Sequence, residues 1–285
     1  MDAVQVMSLF DAKAMWESNV QGHTLNGPVK KCPRYYGISP YNKRKGLAMK
    51  VLIIIPAYNE EKNLSGLLDR LEKVCPEHDV VVINDSSEDN TLKLCRDRGV
   101  HVIDLPVNLG IGGAVQAGYM YARYRNYDAA VQVDGDGQHN PEFISVLLNE
   151  LDNGADLCIG SRFLSDGGFR STGVRRFAIR YFSCLICLFS GLRITDPTSG
   201  FRACNRKGIR LFAADYPRDY PEPESIVNAV RNKLNVKEVP VIMNERKQGR
   251  SSITSMKSLY YMVKVSLAVI LASFYGYRRM EADRS

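Results

Sequence analysis

Strand-length apolar runs alternate with helix-length amphipathic segments through the first half of this 285-residue chain, and that alternation leaves few folds open. Lys50–Ile55 is an apolar run from Val51 on, the pattern of a strand buried on both faces. Glu61–Val74 follows, with Leu64, Leu67, Leu68 and Leu71 at helical spacing. Asp79–Asn84 predicts a second buried strand, and Asp89–Arg98 a helix ended by Gly99. Val100–Leu105 predicts a third strand, Ala114–Arg125 a helix, and Asp128–Val133 a fourth strand. Pro141–Leu151 predicts a helix with proline in its first turn, and Ala155–Ile159 a fifth strand. This order predicts an α/β fold, a mostly parallel sheet with helices on both faces. Ligands of such sheets bind beyond the carboxyl ends of the strands. The segments Pro56–Glu60, Asn84–Asp89 and Asp134–His139 each follow a strand directly, so they are expected to cluster on one edge.

The second half is less regular. Val174–Leu192 carries a broad apolar stripe, with Arg176 and Arg180 one turn apart. Asp196-Pro-Thr-Ser-Gly-Phe-Arg202 predicts a turn entering a short strand. Pro221-Glu-Pro-Glu-Ser225 leads into a helix to Leu234, Val236–Met243 is strand-like, and Arg246–Ser252 is a basic loop. Residues 1–48 show no sustained period beyond one helix-compatible stretch, Asp2–Val20, and are expected to be an N-terminal extension, partly disordered. The expected division is an extension over 1–48, a catalytic domain over 49–255 and a terminal apolar helix over 256–285.

Charge divides the catalytic domain. Residues 49–160 hold nine Lys/Arg against eighteen Asp/Glu, whereas 161–255 hold seventeen against eight. An acidic half suits a metal; a basic half suits an anionic second substrate or an anionic membrane surface. The aromatics do not interleave with the basic residues as a nucleic-acid stacking platform requires, so nucleic acid is not expected as a partner. The seven cysteines are scattered, and no leader pattern precedes them, which predicts a reducing, cytoplasmic setting. Cys184 and Cys187 form a C-x-x-C inside an apolar helical stretch and read as helix packing rather than a zinc or redox site.

Asp134-Gly135-Asp136-Gly137-Gln138-His139 carries the clearest chemistry. A strand end holds two carboxylates one residue apart, and the flanking glycines allow a sharp turn beside a bulky ligand. Such hard oxygen donors suit Mg²⁺ or Mn²⁺, which often bridge to the phosphates of a substrate. The alternative is a solvated loop of turn-forming residues.

These stretches together resemble the family 2 glycosyltransferases, most closely the branch containing dolichyl- and polyprenyl-phosphate sugar transferases. The resemblance covers residues 49–255 and rests on ordered motifs: Ile55–Glu60, Asn84–Asp89, Asn108–Gly113, Asp134–Gln138, Gly160–Arg162, Asp196–Arg202, Glu224 and Arg246-x-x-Gly249-x-Ser251. It implies a GT-A-like fold and an inverting, metal-dependent transfer from a nucleotide diphosphate sugar. Pro56, Tyr58 and Glu60 would form the floor under the base. Asp85 would accept from base or ribose, though it could instead cap the following helix. Gly110 and Gly113 would let backbone approach the nucleotide. Asp134 would face the ribose or the metal, Asp136 would be the main ligand, and Gln138 a third ligand or a sugar contact. His139 would be a neighbour rather than a ligand. Arg162, Arg175 or Arg176, Arg202, Arg246 and Ser251 would cradle phosphate, for which guanidinium forks are suited.

The resemblance leaves the acceptor open between a polyprenyl phosphate or lipid-linked glycan and a hydroxyl of a growing surface polysaccharide. Phosphate is already anionic near neutral pH and needs no strong base; a hydroxyl would need Glu224 or Glu222 as general base. Two alternatives compete. A nucleotidyltransferase would want a basic phosphate loop after the first strand, where Pro-Ala-Tyr-Asn-Glu stands. The other is a catalytically silent nucleotide-binding scaffold. Leu259–Tyr277 is apolar except for Lys264, with aromatic ends and Arg278 and Arg279 beyond. That fits docking at a membrane surface or on a small transmembrane partner, and nearly reaches the roughly 20 residues of a span. The expected location is cytoplasmic, peripheral to the inner face of the cell membrane.

Overall fold

The computed structural model describes residues 49–164, 173–218, 221–244 and residues 264, 266 and 267, all within the compact unit Arg34–Ser285. Seven strands form one sheet: β1 Val51–Ala57, β2 Asp79–Asn84, β3 His101–Asp104, β4 Ala129–Gln132, β5 Leu157–Ser161, β6 Arg202–Asn205 and β7 Val236–Pro240. Their spatial order is β3-β2-β1-β4-β6-β5-β7. All pairings are parallel except those of β6, which runs antiparallel to both β4 and β5. The expected mostly parallel sheet is present, but β4 and β5 are not neighbours; the short strand after the Asp196–Phe201 turn enters between them from the opposite end.

Among the described residues seven helices connect the strands: α1 Glu61–Val74, α2 Thr91–Asp97, α3 Gly110–Tyr124, α4 Ile144–Asp152, α5 Gly173–Ser190, α6 Arg206–Ala214 and α7 Pro221–Arg231. Every residue of β1 is buried, as its unbroken apolar run requires. Leu64, Leu67, Leu68 and Leu71 of α1 and Ile144, Leu147 and Leu148 of α4 join Val51, Ile53 and Ile55 in one core. α3 and α6 meet through Tyr119 and Phe212, with ring centroids 5.2 Å apart. Asn205 starts α6 by accepting from the N–H groups of Lys207 and Gly208.

Several boundaries differ from expectation for local reasons. α3 starts at Gly110 rather than Ala114, because Asn108 Oδ1 accepts from Gly110 N and Asp85 Oδ1 from Leu109 N at its first turn. Gly113 therefore lies within the helix, and Gly110 is its first residue, at φ 75°. A 3₁₀ turn, Pro141–Phe143, precedes α4. The Pro-Glu-Pro-Glu stretch is the first turn of α7 rather than its approach. Helix α6 was not expected from the sequence. Cys184 and Cys187 do sit on a helix, α5, but both are exposed rather than packed. Among the described residues no helix is long and apolar enough to cross a membrane; most of Leu259–Tyr277 lies outside them.

Candidate active site

The strand order reverses at β1, with β2 and β3 on one side and β4 on the other, so a crevice opens beyond the carboxyl ends of β1 and β4. The loops after β1 and β2 are joined there. Asn59 donates its N–H to Ser87 Oγ (3.0 Å) and accepts at Oδ1 from Glu88 N (2.8 Å), while Glu60 N donates to Thr91 Oγ1 (2.9 Å). Pro56 is buried in β1, and Tyr58 is 46 % exposed at the rim. Glu60 Oε2 accepts from Asn63 Nδ2 at 2.7 Å. Asp85 is buried and takes Leu109 N–H at 2.7 Å, which fastens α3 to the end of β2. Burial pushes its carboxyl above the usual range, opposed by the N–H groups of Leu109 and Gly110. At the start of α2, Asp89 Oδ1 accepts from Thr91 N and Oγ1.

The Asp134–His139 loop is fixed from three sides. Arg70 Nη2 of α1 donates to Gly137 O at 3.0 Å, and Asn244 N donates to Gln138 O at 2.8 Å. Gly137 sits at φ 74°, a conformation that favours glycine. Asp136 Oδ1 accepts from Gln138 N at 3.0 Å, leaving both Asp134 and Asp136 half-buried at the crevice. His139 is buried and stacked on Phe201 at 4.9 Å. Its Nδ1 accepts from Asp134 N at 3.0 Å, which directs Nε2 toward Asp134 Oδ2 at 3.5 Å. It is thus a neighbour that orients Asp134. The turn before β6 closes over the same carboxylate: a Cβ on Gly200 would stand 2.9 Å from Asp134 Oδ2.

On the basic side, Arg162 at the end of β5 forms a fork on Asp196, with Nε to Oδ2 at 2.6 Å and Nη2 to Oδ1 at 2.7 Å. Asp196 is fully buried, and Glu238 of β7 holds it from behind by accepting from the N–H groups of Thr195 and Asp196 (2.7 and 2.9 Å). Arg202 departs from the expectation of a phosphate contact. It is fully buried, and its five N–H groups meet Ser199 O twice, Glu222 O twice and Ser225 Oγ once. It braces the 199–200 turn against the start of α7. Glu222 and Glu224 both lie in that first turn. Burial raises the Glu222 carboxyl; Arg202 and Arg162 oppose the rise and Asp134 adds to it, which places this carboxyl among the site charges. Arg176 lies on α5, though its side chain is not among those described, and Arg246 and Ser251 lie outside the described residues.

Among the described residues, no group of three or more His, Cys, Asp or Glu side chains is placed to hold a metal. The donor set nevertheless fits Mg²⁺ or Mn²⁺, because two carboxylates suffice where substrate phosphates and water complete the shell. Gln132 and Tyr216, behind Asp134, were not foreseen. The available signal was an amide inside the otherwise apolar Ala129–Val133 run.

Residues 52–215 match the family model described as Glycosyl transferase family 2. The chain is similar to the polyprenol monophosphomannose synthase of Mycolicibacterium smegmatis, 34% identical over 227 residues, covering 76% of this chain and 86% of that one. It is also similar to the undecaprenyl-phosphate mannosyltransferase of Micrococcus luteus, 35% identical over 215 residues, covering 72% and 88%. The fold resembles that of glucosyl-3-phosphoglycerate synthase from Mycobacterium tuberculosis, solved in complex with Mn²⁺, uridine diphosphate and glucosyl-3-phosphoglycerate. That likeness has a TM-score of 0.60 at 18% identity, over 79% of this chain and 80% of the other.

Proposed function

The chain belongs to glycosyl transferase family 2, and from that premise we propose that it moves a sugar, with inversion, from a nucleotide diphosphate sugar to a polyprenyl phosphate. The observation that carries this reading is the Asp134–Gln138 loop beyond the carboxyl end of β4 at the switch point, with the Gly200 turn and Glu222 of α7 beside Asp134. Asp134 and Asp136 would hold Mg²⁺ or Mn²⁺, with Gln138 beside them. When bound, such a cation offsets the charge that develops on the leaving diphosphate. Tyr58 at the rim and the braced loops after β1 and β2 would seat the base and ribose. The acceptor phosphate oxygen attacks the anomeric carbon as the bond to the diphosphate breaks, and no proton need be removed. Arg176, Arg246 and Ser251 are the candidates for that phosphate, since Arg202 is committed elsewhere. The chain would work at the inner face of the cell membrane, with the segment after residue 255 as its attachment.

A second reading is favoured by α7. Pro221 and Pro223 remove N–H groups that would otherwise attract an anion at the helix start, and Glu222 and Glu224 place negative charge there. Glu222, raised by burial beside Asp134, would then take the proton of a glycan hydroxyl. Radiolabelled nucleotide sugars, a nucleotide diphosphate mannose first, incubated with membranes and extracted into organic solvent, test both. Label in the lipid phase supports the phosphate acceptor; label confined to polymer overturns it in favour of the hydroxyl.

A further inference from the structure

Gln132 is the last residue of β4, fully buried in a strand whose other members are Ala129, Ala130 and Val131. A buried amide is costly unless its polar atoms are bonded. Both ends of this one are used. Nε2 donates to Asp134 Oδ1 at 3.2 Å, and Oε1 accepts from Tyr216 Oη at 3.5 Å. The two contacts fix the orientation of the amide, nitrogen toward the carboxylate and oxygen toward the hydroxyl. Tyr216 is buried between Tyr119 and Phe212, with ring centroids at 5.5 and 5.3 Å, so it cannot follow a moving glutamine. Across the sheet Gln132 is paired with Arg202, which fixes the 199–200 turn. That turn ends at Gly200, where a Cβ would lie 3.0 Å from Gln132 Nε2. His139 reaches the other oxygen of Asp134.

We propose that Gln132 is a positioning residue for the cation site, holding the Asp134 carboxylate in its ligating orientation while Tyr216 fixes the amide from behind. This rests on the reading of Asp134 and Asp136 as cation ligands. Partners that orient a ligating carboxylate typically contribute about 10–100-fold to metal affinity.

The test is calorimetric titration of Mn²⁺ into the full chain saturated with a nucleoside diphosphate, alongside nucleotide titration in chelator. Gln132→Met keeps the volume and removes both bonds. It is expected to weaken Mn²⁺ binding about 10–100-fold while leaving metal-free nucleotide affinity unchanged. Tyr216→Phe removes only the remote hydroxyl and weakens Mn²⁺ in the same direction by less. Should Gln132→Met fail to fold, Tyr216→Phe carries the test. Mn²⁺ affinity within twofold of the parent in either variant overturns the proposal, as does an equal loss of metal-free nucleotide binding, which marks a structural role. Absence of metal-dependent binding in the unsubstituted chain instead overturns the cation reading, and this with it.

Discussion

Replacing Gly200 by alanine should damage the site while sparing the fold. The added Cβ would lie 2.9 Å from Asp134 Oδ2, 3.2 Å from Oδ1 and 3.0 Å from Gln132 Nε2, whereas ordinary contact begins at 3.4 Å. Relief requires about 0.5 Å of movement by the carboxylate or the turn, and overpacking of this kind costs about 1–3 kcal/mol of stability. The turn is braced by Arg202 through Ser199 O (2.7 Å), so the carboxylate is the part that yields. A misplacement of about 1 Å can cost about 100-fold in rate, so half that distance predicts a loss of about tenfold, or about 1.4 kcal/mol of transition-state stabilisation. The assay is kcat/KM for label transfer from nucleotide sugar, with urea unfolding on the same preparations. Gly66→Ala is the control: nothing lies within 4 Å of its added Cβ in the middle of α1, and alanine should stabilise that helix by about 0.5–1 kcal/mol. Activity of Gly200→Ala within twofold of the parent, with unchanged stability, would refute the claim that this turn fixes Asp134.

Two further outcomes follow from buried charge. Asp196→Ala strands the Arg162 guanidinium and should cost about 3–5 kcal/mol in urea unfolding, whereas adding Arg162→Met should recover most of it; a loss below about 1 kcal/mol would contradict the buried pair. Burial alone would raise the Asp156 carboxyl, but Asn235 N–H, the Asn205 amide and Lys207 outweigh it and hold the group below its usual range. A depressed carboxylate contributes stability above its unfolded value, about 3.9, and loses it as pH falls through the folded one. Urea midpoints measured downward from pH 5 should therefore fall less steeply in Asp156→Asn than in the parent.

The repeating half of the fold was legible because buried parallel strands and amphipathic helices each leave a period in the chain. Lys50–Ile55 and Leu64–Leu71 are examples, and the loops that follow strands point to one edge by topology alone. The β6 insertion was not legible, since four residues, Arg202–Asn205, carry no period and their direction depends on the turn before them. At the site, the carboxylates of the Asp134–Gln138 loop stand out by spacing. The commitments of charged groups do not: Arg162 and Arg202 read alike as phosphate contacts, yet one is forked on Asp196 and the other is wrapped by backbone carbonyls. Asp85 likewise offered a ligand or a cap, and in the structure its Oδ1 anchors a helix 24 residues away. Such pairings depend on long-range geometry that sequence spacing does not encode.

Binding of UDP, GDP and dTDP to the chain and to Asp136→Ala, titrated with Mn²⁺ and again with chelator, tests the central claim most directly. Tight binding of one nucleotide to the parent is expected only with the cation, and Asp136→Ala should lose this metal-dependent increment while melting as a folded protein. Equal affinity with and without Mn²⁺, or an undiminished increment in Asp136→Ala, would contradict it.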